Sequence, residues 1–247
     1  MNWLIVVVFT VLGTACAHQP AGWQRASVAA RDAAAHPSVW APLLGAGAMA
    51  VDGLDQRITN TLSRTAPLYG DPAAAAEASD DLMKLATASA GLTALMVAVP
   101  DDQDAIRHRG EHLAVVLGGF AATAGITGAL KDTVGRERPD HSDHRSFPSG
   151  HASQSFTAAS LASANLHRRL GDDNAAHWAD AGLYTVAGLT AWARVEAKVH
   201  YPSDVLVGAA LGNFIGRFLD QLLLTDHRVM PLTMYLDGDT VAIGVVF

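Results

Sequence analysis

The chain has 247 residues, 50% hydrophobic, 17% charged and 6% aromatic, with one cysteine and a formal net charge of -7. This composition suits an apolar-cored domain and excludes disorder and collagen-like repeats. No long Lys/Arg run offsets the acidic balance, which excludes a general affinity for nucleic acid, so an anionic ligand has to be held locally.

Trp3 to Gly13 is an uncharged apolar run, too short for a bilayer span and the right length for the apolar core of an export signal. Thr14-Ala15-Cys16-Ala17 then offers two processing routes. One is cleavage after Ala17; the other is cleavage at Ala15 with lipidation of Cys16, and both stay open. Residues 1–17 are therefore read as a signal peptide or lipoprotein signal, and the mature chain is expected to be exported, periplasmic and disulfide-free.

Residues 18–37 are polar and Ala-rich and read as a linker. From residue 38 the chain alternates charge-poor helical stretches with polar breakers. Helices are expected over Ser38–Val51, Leu82–Val99, His112–Lys131, Ser153–Leu166, Trp178–Val199 and Asp204–Leu224. Gly70-Asp71-Pro72, Pro100-Asp101-Asp102, Arg138-Pro139-Asp140, Gly171-Asp172-Asp173 and Tyr201-Pro202-Ser203 separate them. The expected fold is an all-α, six-helix bundle over 38–226. A bilayer span needs roughly 18 to 20 apolar residues, and Leu113–Leu130 meets that length but is diluted by glycine and threonine. The pattern favours a water-soluble or peripherally attached bundle. In the tail, 227–247, Pro231–Leu236 and Thr240–Phe247 flank an Asp-Gly turn and read as a hairpin-like pair of strands.

Three segments place titratable groups at helix boundaries. Lys131, Arg136 and Arg138 close the long helix, where cations also answer the helix dipole. Pro148-Ser149-Gly150-His151 opens the next helix. Ser149 is a natural N-cap, Gly150 leaves its amide unobstructed, and His151 stands ready to give a proton to an anion held there. Arg194, His200 and Asp204 combine a planar cation, a histidine and a carboxylate four residues on. His141, Asp143 and His144 look like a metal cluster by composition and are read as solvated loop residues instead.

Together, Lys131-x6-Arg138-Pro139, Pro148-Ser149-Gly150-His151 and Arg194-x5-His200-x3-Asp204 resemble the tripartite signature of the type 2 phosphatidic acid phosphatase (PAP2) superfamily. That superfamily also holds bacterial class A acid phosphatases and vanadium haloperoxidases. One departure is Ala193, where the family usually has serine before the arginine. The resemblance implies a helical bundle and a metal-independent phosphatase needing no cofactor. Its catalytic residues would be His200 as nucleophile, Asp204 as its partner and His151 as general acid. Lys131, Arg138, Ser149, Gly150 and Arg194 would bind the phosphoryl group. The implied substrate is a phosphorylated lipid or small phosphate ester. A vanadate-dependent haloperoxidase and a non-catalytic structural lipoprotein are the alternatives.

Overall fold

A computed structural model describes residues 21–97, 103–224, 232–237 and 240–245. The apolar run at Trp3–Gly13 and Cys16 lie outside the described residues. Eight α-helices are present among the described residues: α1 Ala21–Ala35, α2 Pro37–Met49, α3 Leu54–Thr65, α4 Pro72–Met96, α5 Ala105–Val134, α6 Gly150–Leu170, α7 Asn174–Glu196 and α8 Pro202–Leu224. Past α8, β1 (Leu232–Asp237) and β2 (Thr240–Val245) pair antiparallel.

The expected six helices become eight, and the two additions have different causes. Residues 21–35, expected as a linker, fold as α1 because Ala29 and Ala33 bury a small-residue stripe that hydropathy hardly registers. α3 is mostly polar, with Leu54, Ile58 and Leu62 spaced four apart, so its apolar face is one residue wide. Helix ends follow the capping chemistry. The Asp71 side chain accepts from the amides of Ala73 (2.8 Å) and Ala74 (2.9 Å), and Pro72 sits at the first helical position, so α4 starts ten residues before Leu82. α5 stops where Gly135 turns left-handed (φ 59°) and returns its N–H to the carbonyl of Lys131.

α6 is central, packing against α4, α5, α7 and α8, with its most extensive contact on α8. That contact runs along glycines four residues apart on α8. A Cβ at Gly208 would stand 2.8 Å from the Ser149 carbonyl oxygen, and one at Gly216 2.7 Å from the Ser160 Cβ. At Gly212 it would strike the backbone of Ser153 and Thr157. Backbones approach this closely only where side chains are absent. The buried core is accordingly alanine-rich, with Ala86, Ala90, Ala94, Ala158 and Ala162 grouped around Val115, Val116 and Leu161. The α6–α8 seam carries the opening of α6 and the opening of α8 side by side, and both openings belong to the motifs.

Candidate active site

Motif residues from four chain segments converge at one end of the bundle. Lys131 comes from the last turn of α5, and a Cβ on Gly150 would lie 4.0 Å from its Cε, so the lysine stem runs beside the opening of α6. Its ammonium donates to the carbonyl of Arg145. Ser149 is fully buried as the N-cap of α6, its side chain facing the amide of Ala152 at 3.5 Å and its own amide donating to the Asp204 carbonyl at 3.0 Å. The first turn of α6 therefore faces this end with its positive dipole pole.

Arg138 is aimed by Asp143, whose carboxylate accepts from its Nε at 2.7 Å, while its Nη1 reaches the Val199 carbonyl at 3.4 Å. Asp143 thus serves an arginine. His141 pairs with Glu137 on the exposed side of the same loop. Arg194, in the last turn of α7, donates from Nη1 to Ser79 at 2.9 Å. Its Nε is buried and has no partner. A buried N–H without an acceptor is costly, and an oxyanion entering beside it would satisfy it.

His200 is 1% exposed and follows α7 on the loop leading into α8. Its Nδ1 stands 3.7 Å from Asp204 Oδ2, too long for a hydrogen bond, and is another buried polar atom without a partner. Burial is the main cause that pushes the His200 imidazole down to about 4, against the pull of Asp204, and Lys131 adds to the lowering. At neutral pH the ring is uncharged, as a nucleophile requires.

Asp204 organises the site. Oδ1 accepts from Arg136 Nη1 at 2.7 Å, and Oδ2 accepts from Ser146 Oγ at 2.5 Å and the Tyr201 amide at 2.9 Å. Burial works to raise this carboxyl, and the surrounding donors and Arg136 hold it below its ordinary range. Arg136 also reaches Asp55 of α3 at 2.9 Å and lies 4.0 Å over the Tyr201 ring. Asp55 in turn accepts from the Ser203 amide at 2.9 Å.

His151 contacts a residue that the motifs do not contain. Its Nε2 is 2.6 Å from Asp80 Oδ1 on α4, and the same oxygen is 3.9 Å from Arg194 Nη1. Burial and the Arg194 charge lower the His151 pKa, and Asp80 opposes both. Asp80, Ser79, Asp55 and Ser146 are the supporting residues that motif spacing does not reveal, whereas Arg136 was already singled out with the cations that close α5. The Asp80-Asp81 pair beside an apolar run was the one visible trace. Ala193, at the family's serine position, is fully buried and packs without a polar partner.

All eight expected residues, Lys131, Arg138, Ser149, Gly150, His151, Arg194, His200 and Asp204, therefore lie on segments that meet at this end of the bundle. The arrangement supplies three cations and a helix N-terminus for an oxyanion, a neutral buried histidine with a carboxylate behind it, and a second histidine paired to a carboxylate.

Residues 112–227 match the model of the PAP2 superfamily. The chain is 38% identical to the lipid A 1-phosphatase of Porphyromonas gingivalis over 40% of its own length and 21% of that protein. It is 36% identical to the decaprenylphosphoryl-5-phosphoribose phosphatase of Mycobacterium tuberculosis over 47% of its length and 63% of that protein. The chain thus spans less than two thirds of either relative. Its fold is similar to the crystal structure of the first transmembrane PAP2 type phosphatidylglycerolphosphate phosphatase from Bacillus subtilis, with TM-score 0.54 and 21% identity over 74% of this chain and 92% of that one. That likeness bears on the helical body and lends the C-terminal strand pair no support. Residues 112–227, which contain all three motifs and the helices that bring them together, are thus a PAP2 superfamily segment.

Proposed function

We propose that this chain is a phosphatase acting on phosphorylated lipids through a phosphohistidine intermediate. The observation that carries the reading is the pair of buried, unpartnered atoms, Arg194 Nε and His200 Nδ1, at a site where Lys131, Arg138 and the start of α6 also converge. A bound phosphoryl group answers that arrangement: Lys131, Arg138 and Arg194 neutralise its oxygens, and the amides beside Ser149 and Gly150 complete the cradle. His200 Nε2 attacks phosphorus in line as the P–O bond to the leaving group breaks. The Nδ1–H then carries the developing charge towards Asp204, the 3.7 Å gap closing as the imidazole becomes cationic. His151 gives its proton to the leaving oxygen. A water, deprotonated by the same His151, next attacks the phosphohistidine, returning neutral His200 and releasing phosphate. None of these steps uses a metal. The two curated relatives are named for lipid-linked phosphates, which supports a lipid substrate class.

A membrane setting follows from the surface. α5 is long and apolar enough to cross a bilayer, and only 28% of its most apolar window is buried. Ile106, Leu117 and Ile126 of α5 are exposed, as are Leu85, Leu92, Leu95 and Met96 of α4. We place these exposed apolar residues in lipid, in contrast to the water-soluble or peripheral bundle expected from run lengths. Export and lipidation of Cys16 remain part of the proposal.

The deciding experiment is phosphate release by detergent-solubilised protein over a panel of lipid phosphates, lipid diphosphates and soluble esters, with and without EDTA and vanadate. Lipid-phosphate hydrolysis that survives EDTA and is inhibited by vanadate is the expected result. Absence of phosphate release, or loss to EDTA with rescue by a divalent ion, overturns the mechanism. Bromide oxidation by vanadate-loaded protein would assign the haloperoxidase chemistry instead.

A further inference from the structure

A second group of ligand-type side chains lies far from the catalytic end, where α6 hands over to α7. His167 is in the last turn of α6, and His177 and Asp180 are three residues apart on the opening of α7, hence on one face. His167 Nε2 stands 2.8 Å from Asp180 Oδ2, and the two imidazoles lie 5.6 Å apart with their planes at 64°. One ligand atom from each of the three residues lies within 4.8 Å of the others. His151 and His167 are separated by roughly 24 Å along α6 at 1.5 Å per residue, so this group has no part in the phosphoryl cradle.

Two buried oxygens beside His167 have no donor among the described residues. Asp180 Oδ1 is buried with no donor, and Gln221 Oε1 is buried in the same condition. Both residues line a cavity of about 300 Å³ together with His167, Ser160, Arg217 and Asp220. Of the nearby arginines, Arg168 makes two bonds to Asp220, at 2.6 and 2.9 Å, and Arg217, which borders the cavity, donates its Nε to Ser38 at 3.1 Å. Asp172 adds a carboxylate 3.1 Å from His177 Nε2. A carboxylate beside a liganding imidazole orients the ring and raises its basicity.

We propose that His167, His177 and Asp180 bind a divalent transition-metal ion, Zn²⁺ by preference, which clips the end of α6 to the start of α7. Two imidazoles and one carboxylate match the three-ligand sets of zinc sites, with water in the fourth position. The nitrogen ligands disfavour Mg²⁺ and Ca²⁺, which take oxygen. Bonds of about 2.0 to 2.1 Å place tetrahedral ligands about 3.3 Å apart. His177 has the freedom to rotate toward that spacing, its side chain being 59% exposed.

The test uses untagged full chain in detergent, stripped with EDTA, dialysed, and titrated with Zn²⁺ and Co²⁺. The expected result is one tightly bound Zn²⁺ per chain, visible absorption of tetrahedral Co²⁺, and a melting temperature raised on the order of 5 °C. The double variant His167→Gln/His177→Gln should weaken Zn²⁺ binding by roughly 100-fold or more and abolish the melting shift. Its metal-free melting temperature should match the parent's, since these side chains cover little core. His141→Gln/His144→Gln should bind as the parent does. Absence of stoichiometric binding to the parent, or binding retained in the double variant, overturns the proposal. Stoichiometry and melting do not involve phosphate release, so the site stands or falls independently of the phosphatase reading.

Discussion

His200 and Asp80 make the most specific residue-scale claims. Replacing His200 by alanine removes the proposed nucleophile and should lower phosphate release by several orders of magnitude. Circular dichroism of the variant should match the parent, and substantial residual turnover would remove His200 from its role. The same residue sets a pH limit on stability. Its folded pKa, about 4, lies below the ordinary histidine value of 6.5, so the unfolded chain binds the proton more readily. The His200 contribution is therefore complete above about pH 6.5 and is lost as pH falls toward 4. His200→Ala should flatten the acid side of the melting profile over that window. In the proposed mechanism Asp80 is a positioning residue that acts through His151. The Asp80 charge raises the His151 pKa, so Asp80→Asn lets it fall further and the acid form is lost at lower pH. The basic limb of the kcat/KM profile should move to lower pH, with a roughly 10- to 100-fold loss near neutrality. An unmoved limb would leave Asp80 with only a structural role.

The element-scale argument concerns how α6 and α8 bring their N-terminal ends together. Ser149 donates its amide to the Asp204 carbonyl at 3.0 Å, and this contact exists only because Gly208, Gly212 and Gly216 admit the α6 backbone. Gly212→Ala puts a methyl against main chain that has no side chain to rotate away, so a loss of about 1 to 3 kcal/mol is expected. Activity should fall more than stability does, because the helix starts separate. Gly182→Ala on α7 is the matched comparison: a Cβ there meets nothing within 4 Å, and the change should be neutral or stabilising by up to about 1 kcal/mol. Chemical denaturation of the two variants checks both signs. Equal effects at the two positions would mean that the seam does not position the site.

For the whole molecule, the question is what surrounds the bundle. Ile106 is 87% exposed and Leu117 60%, on a helix long and apolar enough to cross a bilayer. In water such a surface drives association; in lipid it is an ordinary exterior. A chain lacking residues 1–20 should therefore still sediment with membranes after an alkaline carbonate wash and should need detergent to stay dispersed. Release into the wash would restore the peripheral reading and leave Cys16 as the attachment. Cys16→Ser in the full chain is expected to leave membrane retention unchanged while altering the processing of residues 1–17, which mass spectrometry of the mature N-terminus resolves.

The residues of the candidate site were legible in the order of residues because caps, cations and breakers act locally. Ser149 opens a helix, Gly135 ends one, and Lys131, Arg138, His151, Arg194, His200 and Asp204 keep spacings that a family signature specifies. The six apolar helical stretches were legible for the same reason, since burial imposes a period on the residues it covers. α1 escaped because alanine carries packing without hydropathy, and α3 because its apolar stripe is one residue wide. The partners Asp80, Asp55 and Ser146 were decided by tertiary structure alone. Asp80 is 71 residues from His151, and Asp55 is 148 residues from Ser203. Pairing over such separations depends on which helices pack together, here α4 against α6 for Asp80 and α3 beside the start of α8 for Asp55. The His167, His177 and Asp180 group is of the same kind, for only the antiparallel return of α7 against α6 brings its three ligands to one place.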